Sequence, residues 1–497
     1  MKKGLGLILW LFAGTLALVS CSNKPVGNGD ENPWTHVKSL ADIKGKKIAL
    51  LGGSVHESYM MDHYPEAKLM RFGSVAELIA AVDNGVSDFM MIDNTCLIGS
   101  GIEKKKVVHC FTDTLLSGEY GIAFRHEDTE LCDKMNHFLA QIEANGTMAD
   151  MKRRWIDGDG MHVEMPHFDL SGNRKTLVVG TLPTFPFVFI KDGKNVGFEV
   201  ELLERFAQYA GYNVEFDIYE FSALVAALVS GRIDVIISCM NITEERSKQV
   251  LFSNPYFHSE TECFGHVDKG SETAAKGGMN LMESIENNLI VEQRWKLLLD
   301  GFYETIFIFI FSLLLGTLIG GIICWMRMSR TRWLQTVAKV YVEIMRGMPI
   351  LVFLMIMFYI IFASSGVEAR WVAVMAFSIN FGAFVSEMFR TGIEGVDRGQ
   401  TEAGLAMGFS PVATFFNFIV PQALKSIIPV YKGEAISLIK STSIVGYIAI
   451  QDLTKVSDII RSRTFDAFFP LILISIIYFI LAWLLGKALD YLANKTK

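Results

Sequence analysis

The order of apolar and polar residues divides the chain into two halves of different character. In residues 38–267, short apolar runs alternate with helical patterns, which is typical of an α/β domain. In residues 291–497, apolar residues follow one another over long stretches, and the uncharged run 305–325 is long enough to cross a bilayer. We therefore predict a two-lobed α/β domain followed by an all-α transmembrane domain of about five helices.

The α/β half contains one unit twice, because residues 78–88 and 224–234 can be laid on each other. Each copy is an amphipathic helix followed by a buried parallel strand. Two such lobes face each other across a cleft, and ligands collect at the carboxyl ends of parallel strands. Asp93 follows one of these strands and Arg246 lies shortly after another. A carboxylate opposite a guanidinium suits a zwitterion. The predicted strands are 46–51, 88–93, 176–181 and 233–238.

The membrane half has a predicted orientation. Arg327, Arg330 and Arg332 follow the first span at once, which places its far end in the cytoplasm. Prolines, glycines and charged residues are predicted to interrupt residues 421–450. Such a segment commonly borders a transport route, although an interhelical ion pair is an equal alternative. Further spans are predicted at 348–362, 371–388 and 468–485.

Composition narrows the function classes. Of 497 residues, 51% are hydrophobic, so part of the chain lies in lipid. The net charge of -7 argues against a nucleic-acid partner. The seven cysteines form no pair or cluster at metal spacing, so no metal site is predicted. The phosphate-binding pattern Gly-x-x-x-x-Gly-Lys-Ser/Thr does not occur, so we expect no bound nucleotide or other cofactor on this chain.

The N-terminus predicts export. Lys2 and Lys3 precede the apolar run 5–19, and the following Leu-Val-Ser-Cys resembles the lipobox of a bacterial lipoprotein signal. Residues 1–21 are then the signal, Cys21 carries lipid, and residues 22–37 are a tether. An uncleaved membrane anchor is the alternative. In both cases the α/β domain lies outside the cytoplasm.

A polar, glycine-containing stretch between two apolar runs resembles the coupling loop of bacterial ATP-driven importer permeases. The resemblance rests on Glu402, Ala403, Gly408 and Pro421, with Gly404 in place of a second alanine. It implies that residues 402–408 form a cytoplasmic helix that contacts a separate ATP-binding subunit. Small residues let that partner approach, and Glu402 complements the helix dipole. An ordinary amphipathic loop helix is the alternative.

Three further segments resemble the permeases for polar amino acids in the same family: 341–349, 399–403 and 421–424. The resemblance implies a homodimer, since five spans are too few to enclose a path, and it implies that ATP binds the partner subunit.

Residues 237–246 and 252–256 resemble the signature of the polar amino-acid binding proteins of these importers, which have the type II periplasmic-binding-protein fold. The resemblance implies that Arg246 holds the ligand α-carboxylate with two hydrogen bonds, a geometry that guanidinium favours. A surface salt bridge is the alternative for Arg246, and core packing is the alternative for the aromatic residues. The other implied ligand contacts are Asp93, Ser238, Asn241, Thr243, Ser54, Phe185 and Phe221.

Two departures leave the ligand open. Cys239 stands where the family usually has glycine, and Leu182 stands where some members have an aspartate that contacts the ligand side chain. The ligand is expected to be a polar amino acid, with glutamine, glutamate and basic amino acids as candidates.

The order of the halves is unusual for this family. Residues 38–157 resemble the second half of a binding protein, with one lobe and the C-terminal helices, and residues 176–267 resemble the first half. We predict a circular permutation, with linkers at 158–175 and 268–290 and the permease at 291–497. The alternative is two half-domains that pair with other chains.

The expected function is that of an importer subunit in the inner membrane of a bacterium. It binds an amino acid outside and passes it across the membrane, and a separate ATPase supplies the energy. A ligand-gated ion channel is the alternative, although no carbonyl-lined filter sequence is present. An enzyme is the least favoured class, because no nucleophile elbow or zinc-protease motif occurs.

Overall fold

The computed structural model describes residues 33–158, 160–168, 170, 175–267, 281–363, 365–466 and 468–495. The predicted signal, Cys21 and residues 22–32 of the tether lie outside these ranges.

The first lobe, lobe A, is built on a five-stranded sheet. Its first three strands are parallel, and its last two form a long antiparallel pair. Ile48, Leu50 and Phe89 are fully buried between the sheet and its helices, which explains the continuous apolar runs in these strands. The spatial order is Lys68–Phe72, Lys47–Leu51, Phe89–Asp93, Phe257–His266 and Val107–Tyr120. The helices are Leu40–Ile43, Val55–His63, Val75–Asp83, Asn94–Leu97 and Ile102–Lys104.

The second lobe, lobe B, is built on another five-stranded sheet. Trp155, Phe187 and Phe206 are fully buried in its core. The spatial order is Leu251–Phe252, Ala123–Phe124, Val235–Ile236, Thr176–Thr181 and Asn213–Ile218. A hairpin, Phe189–Lys191 with Lys194–Val196, lies beside it. The helices are Thr129–Ala144, Thr147–Trp155, Phe198–Ala210, Phe221–Ala223, Leu224–Val229 and Glu244–Ser247.

Both sheets combine strands from the two sequence halves. Strand Phe257–His266 pairs with strands of the first half in lobe A, and Ala123–Phe124 pairs with strands of the second half in lobe B. The chain crosses between the lobes after Tyr120 and returns between Phe252 and Phe257. In the structure, therefore, the two halves complete each other within one chain.

The membrane half is helical. Among the described residues, four helices are long and apolar enough to cross a membrane: Trp295–Met328, Ala369–Glu394, Pro411–Ile448 and Phe469–Tyr491. A fifth crossing results if the pair Arg332–Gly347 and Ile350–Ile361, bent by 108°, counts as one span. These numbers agree with the predicted count of about five.

Three short helices precede the first of these spans, and others connect the spans. The three before it are Leu281–Ile285, Glu286–Ile290 and Val291–Gln293. The helices after it are Arg332–Gly347, Ile350–Ile356, Met357–Ile361, Ala369–Glu394, Arg398–Ala406, Pro411–Thr414, Phe415–Ile419, Val420–Ser441, Thr442–Ile448, Leu453–Thr464 and Phe469–Lys495.

The predicted span 348–362 is wrong as a single crossing. Pro349 is the N-cap of Ile350–Ile356, and the helical segment ends at Ile361. At 1.5 Å per residue this segment extends about 18 Å, short of the ~30 Å hydrocarbon core. Apolarity alone did not show that the segment turns sharply away from Arg332–Gly347.

The predicted interruption of residues 421–450 is also wrong over most of its length. Helix Val420–Ser441 continues through Pro429, and Pro421 lies within a helical stretch that begins at Pro411, directly after the π-helical segment Phe415–Ile419. Lys432 is paired with Asp490 of the last helix at 2.7 and 2.8 Å, so its charge does not break the helix. The regular helix ends at Ser441 and continues as the 3-10 segment Thr442–Ile448.

Candidate functional site

A narrow cavity lies between lobes A and B. Both lobes contribute to it, so its shape depends on their closure. Six of the eight predicted ligand-binding residues line it: Ser54 and Asp93 from lobe A, and Phe221, Ser238, Asn241 and Arg246 from lobe B.

Arg246 connects the lobes across this cavity. Its Nη1 donates to the carbonyl of Asn241 at 2.8 Å, and its Nη2 donates to the carbonyl of Gly53 in lobe A at 2.9 Å. The guanidinium carbon lies 5.4 Å from the centroid of the Phe221 ring. Burial lowers the pKa of Arg246 to about 10, against the opposing attraction of Asp93. The side chain is therefore a cation at neutral pH, and it lines the cavity.

Asp93 supplies the negative charge. Its Oδ2 accepts from the Tyr120 hydroxyl at 2.8 Å and lies 3.5 Å from Asn241 Nδ2. His56 Nε2 is 3.4 Å from Oδ1 but lies closer, at 3.0 Å, to the hydroxyl of Thr261. Among the described residues, Oδ1 of Asp93 and Oδ1 of Asn241 are buried without a hydrogen-bond partner. Two buried acceptors that lack donors are costly unless a ligand supplies the donors.

Ser54 begins a helix at the cavity wall. It is the N-cap of Val55–His63, and its hydroxyl accepts from the N–H of Glu57 at 3.3 Å. Gly53 before it has φ +79°, a conformation that glycine adopts without strain, and its N–H donates to Glu57 Oε2 at 2.7 Å. The helix therefore directs the positive end of its dipole toward the cavity.

The loop that carries Ser238 is held by a residue that the sequence analysis did not single out. Glu199 is fully buried, and its Oε1 accepts from the N–H of Cys239 at 2.8 Å and from the hydroxyl of Tyr256. Cys239 has φ +48°, a left-handed conformation that glycine adopts with less strain than cysteine. Burial raises the pKa of Glu199 to about 7. The sequence signal that could have identified Glu199 is its position directly after Gly197 and Phe198, at the start of a helix.

Two predicted ligand contacts have other roles in this structure. Thr243 is the N-cap of Glu244–Ser247, and its hydroxyl accepts from the N–H of Arg246 at 3.2 Å, so it positions the arginine. Phe185 packs on Phe189, with ring centroids 5.0 Å apart, under the guanidinium of Arg463 from the membrane half. In the part of the chain that the structure describes, neither residue lines the cavity.

The remaining wall of the cavity is largely uncharged. Apart from the six predicted residues and His56, it consists of aliphatic side chains, one methionine, two cysteines and a threonine. These are Leu51, Val55, Val75, Met91, Ile92, Cys96, Leu182, Thr184 and Cys239.

A second and larger cavity lies between the two lobes and the membrane half. Val75 of lobe A and Leu182 of lobe B line both cavities, so the two are neighbours. The membrane half contributes polar groups, among them Ser443, Thr454 and Lys455.

The predicted coupling residues lie on the short helix Arg398–Ala406 and the turn after it. Glu402 and Ala403 are exposed. Gly404 is buried, and a Cβ there would lie 2.5 Å from Cγ2 of Thr414. Gly408 has φ +85° and ends the helix. Glycine is therefore required at position 404 by close packing and at position 408 by the backbone conformation.

Apolar side chains surround these residues on the exposed surface. Leu405, Met407 and Phe409 are each at least 42% exposed between the membrane helices Ala369–Glu394 and Pro411–Ile448. An exposed apolar patch of this kind is typical of a protein interface.

Comparison with known proteins agrees with this architecture. Residues 177–348 match the family described as bacterial extracellular solute-binding proteins, family 3. Residues 306–497 match the family described as binding-protein-dependent transport system inner membrane component. The L-cystine transport system permease protein TcyB of Bacillus subtilis (strain 168) is 36% identical over 210 residues, which are 42% of this chain and 90% of that protein. This chain belongs to the inner membrane component family. It is an integral inner-membrane protein that carries its own solute-binding domain.

Other members of the family show similar agreement over the membrane half. The arginine transport system permease protein ArtQ of Bacillus subtilis (strain 168) is 32% identical over 198 residues, 39% of this chain and 90% of that protein. A solved structure, described as the crystal structure of an amino acid ABC transporter with histidines, is 34% identical. The match covers 40% of this chain and 94% of that chain, with a TM-score of 0.38.

Proposed function

We propose that this chain is the substrate-binding and permease subunit of an ATP-driven importer of α-amino acids. One observation carries the proposal: the cation of Arg246 and the carboxylate of Asp93, on opposite lobes, line one cavity. An α-amino acid has the complementary charges. Its carboxylate can bind the Arg246 guanidinium near the N-terminus of helix Val55–His63. Its ammonium group can donate to Oδ1 of Asp93 and Oδ1 of Asn241.

The uncharged wall favours an amino acid with an uncharged side chain. Arg246 and Asp93 are needed for the two α-substituents, and His56 faces Asp93. A charged ligand side chain would then lie against aliphatic groups and thiols without a partner, which costs several kcal/mol. Among the expected candidates, glutamine fits this wall better than glutamate or a basic amino acid.

The energy source is proposed to be a separate ATP-binding subunit. It would dock on the exposed surface around Glu402, where apolar side chains and a carboxylate lie on a short helix between two spans. The family match of residues 306–497 to a transport component favours an importer over the ligand-gated channel. We also propose a homodimer, because four or five spans are too few to enclose a path across the membrane.

Calorimetric titration of the full-length chain in lipid nanodiscs with each of the twenty common L-amino acids tests the proposal. We expect binding to one or a few amino acids with uncharged side chains. Lysine, arginine, aspartate and glutamate should bind at least tenfold more weakly, because one unpaired buried charge costs more than the ~1.4 kcal/mol of a tenfold change.

Two results would contradict parts of the proposal separately. A flat response to all twenty amino acids would remove the amino-acid assignment of the cleft. Tightest binding of a charged amino acid would keep that assignment and overturn the uncharged side-chain class.

A further inference from the structure

The two lobes of the binding domain contact the membrane half in different ways. In lobe B, the hydrophobic core continues directly into the core of the membrane half. Tyr219, Leu224 and Ile233 belong to the same buried cluster as Phe353 and Phe358 of the membrane half. Ile190 and Ile218 of lobe B form a second buried cluster with Ile459. Apolar contact on this scale resembles the interior of one domain more than a transient interface.

A guanidinium adds a polar anchor to this contact. Arg232 of lobe B donates from Nε and Nη2 to the carbonyl of Phe358 at 3.1 and 3.0 Å, and from Nη1 to that of Val367 at 3.0 Å. Nη2 also donates to the carbonyl of Phe362, and the guanidinium carbon lies 4.1 Å from the centroid of the Phe358 ring. Arg232 therefore caps the C-terminal end of the segment Ile350–Ile361, where free carbonyls attract a cation.

Lobe A meets the membrane half through a smaller and more polar set of contacts. Arg461 Nη1 lies 3.0 Å from Glu77 Oε1, and Phe465 packs at the edge of a lobe A cluster. The main apolar clusters of lobe A consist of its own residues, apart from that contact. Glu77 is 31% exposed, and the buried Arg461 keeps a second partner, Asp458 at 3.0 Å, when Glu77 moves away. Lobe A can therefore leave the membrane half at far lower cost than lobe B.

The connections between the lobes allow such a movement. Two chain crossings join them, one after Tyr120 and one between Phe252 and Phe257. Across the cleft, the direct hydrogen bonds include that of Arg246 to the carbonyl of Gly53 and the long one of Asn241 to Asp93.

We infer that lobe B is a fixed part of the permease and that lobe A alone swings to open and close the cleft. The inference rests on the proposed function, since the movement matters only if the cleft admits a solute. The solute is then bound by a lobe that already lines the second cavity. The domain does not need to detach and dock again in each cycle, and the Arg461–Glu77 ion pair is the contact that breaks when lobe A opens.

Distances between spin labels in the full-length chain, in nanodiscs without ATP or an ATPase, test this directly. Val86 of lobe A and Val229 of lobe B are 49% and 60% exposed, and each lies near the end of a helix of the repeated unit. Trp325, on Trp295–Met328 and 66% exposed, gives the reference position. Labels attached through a noncanonical keto amino acid leave the seven cysteines unchanged. A pair within lobe B, Tyr209 and Val229, reports the spread that the labels themselves cause.

We expect the Val229–Trp325 distribution to be as narrow as the control pair, with shifts below about 1 Å when ligand is added. The Val86–Trp325 distribution should be wider by more than about 2 Å in the ligand-free chain. A lobe B distribution as wide as that of lobe A would overturn the inference, and so would a lobe A distribution as narrow as that of lobe B.

Addition of the twenty common L-amino acids as a mixture separates this inference from the proposed function. Narrowing of the Val86–Trp325 distribution alone supports both. If no distance responds to the mixture, the amino-acid assignment is wrong. The widths of the Val86–Trp325 and Val229–Trp325 distance distributions in the ligand-free chain still decide which lobe moves.

Discussion

Replacing Arg246 with alanine is expected to weaken amino-acid binding by well over tenfold. The substitution removes the cation that faces the ligand carboxylate, and it leaves that carboxylate buried without a partner. It also removes the hydrogen bond to the carbonyl of Gly53, which joins the closed lobes. Arg246→Lys should give an intermediate loss, because lysine keeps the charge but lacks the planar pair of donors.

Calorimetry on the full-length chain measures this effect. Lys248→Ala is the matched control, since Lys248 follows the same short helix but is exposed and pairs with Glu244 on the surface. The control should bind like the unchanged protein. If Arg246→Ala and Lys248→Ala bind equally well, Arg246 is not part of the ligand site.

Reversing the charge of Glu402 is expected to abolish uptake while leaving amino-acid binding unchanged. Glu402 is exposed on Arg398–Ala406, beside the apolar side chains of Leu405 and Met407. A lysine at this position would place the wrong charge against the ATPase surface. The predicted interaction of Glu402 with the helix dipole is wrong, because Glu402 is the fifth residue of the helix and lies beyond its first turn. The ligand cavity is built from the other half of the chain, so its affinity should not change.

The measurement is uptake of labelled amino acid into liposomes that contain this chain and its ATPase subunit, together with calorimetry on the same variant. Glu368→Lys is the control, because Glu368 is also an exposed carboxylate and lies outside this loop. Full uptake by the Glu402→Lys variant would show that this surface does not carry the coupling. Loss of binding as well as uptake would show that the substitution acts on the fold.

Local sequence signals were sufficient for the parts of the site that depend on local geometry. Asp93 ends the strand Phe89–Asp93, so its place at the carboxyl edge of a sheet followed from the strand pattern. The resemblance to importer permeases implied a helix over residues 402–408, whereas the helix in the structure is Arg398–Ala406, which begins four residues earlier and ends before Gly408. The circular permutation stays a prediction.

Contacts between distant parts of the chain were not accessible from the sequence. The ion pair of Arg461 with Glu77 joins residues 384 positions apart, and that of Lys455 with Glu220 joins residues 235 apart. None of these four residues belongs to a motif that would predict the contact. The hydrogen bonds of Arg232 to backbone carbonyls of the membrane half could not be predicted either. Every residue has a backbone carbonyl, so the sequence does not indicate which carbonyls accept these bonds.

Blocking one end of the ligand at a time tests the central claim, that a zwitterion is held at both ends between the lobes. Calorimetry would compare the amino acid that binds tightest with its N-acetyl derivative, which lacks the ammonium charge, and with its amide, which lacks the carboxylate. We predict that each derivative binds at least about tenfold more weakly, since each leaves Asp93 or Arg246 buried without its partner. Binding of both derivatives as tightly as the parent amino acid would contradict the account.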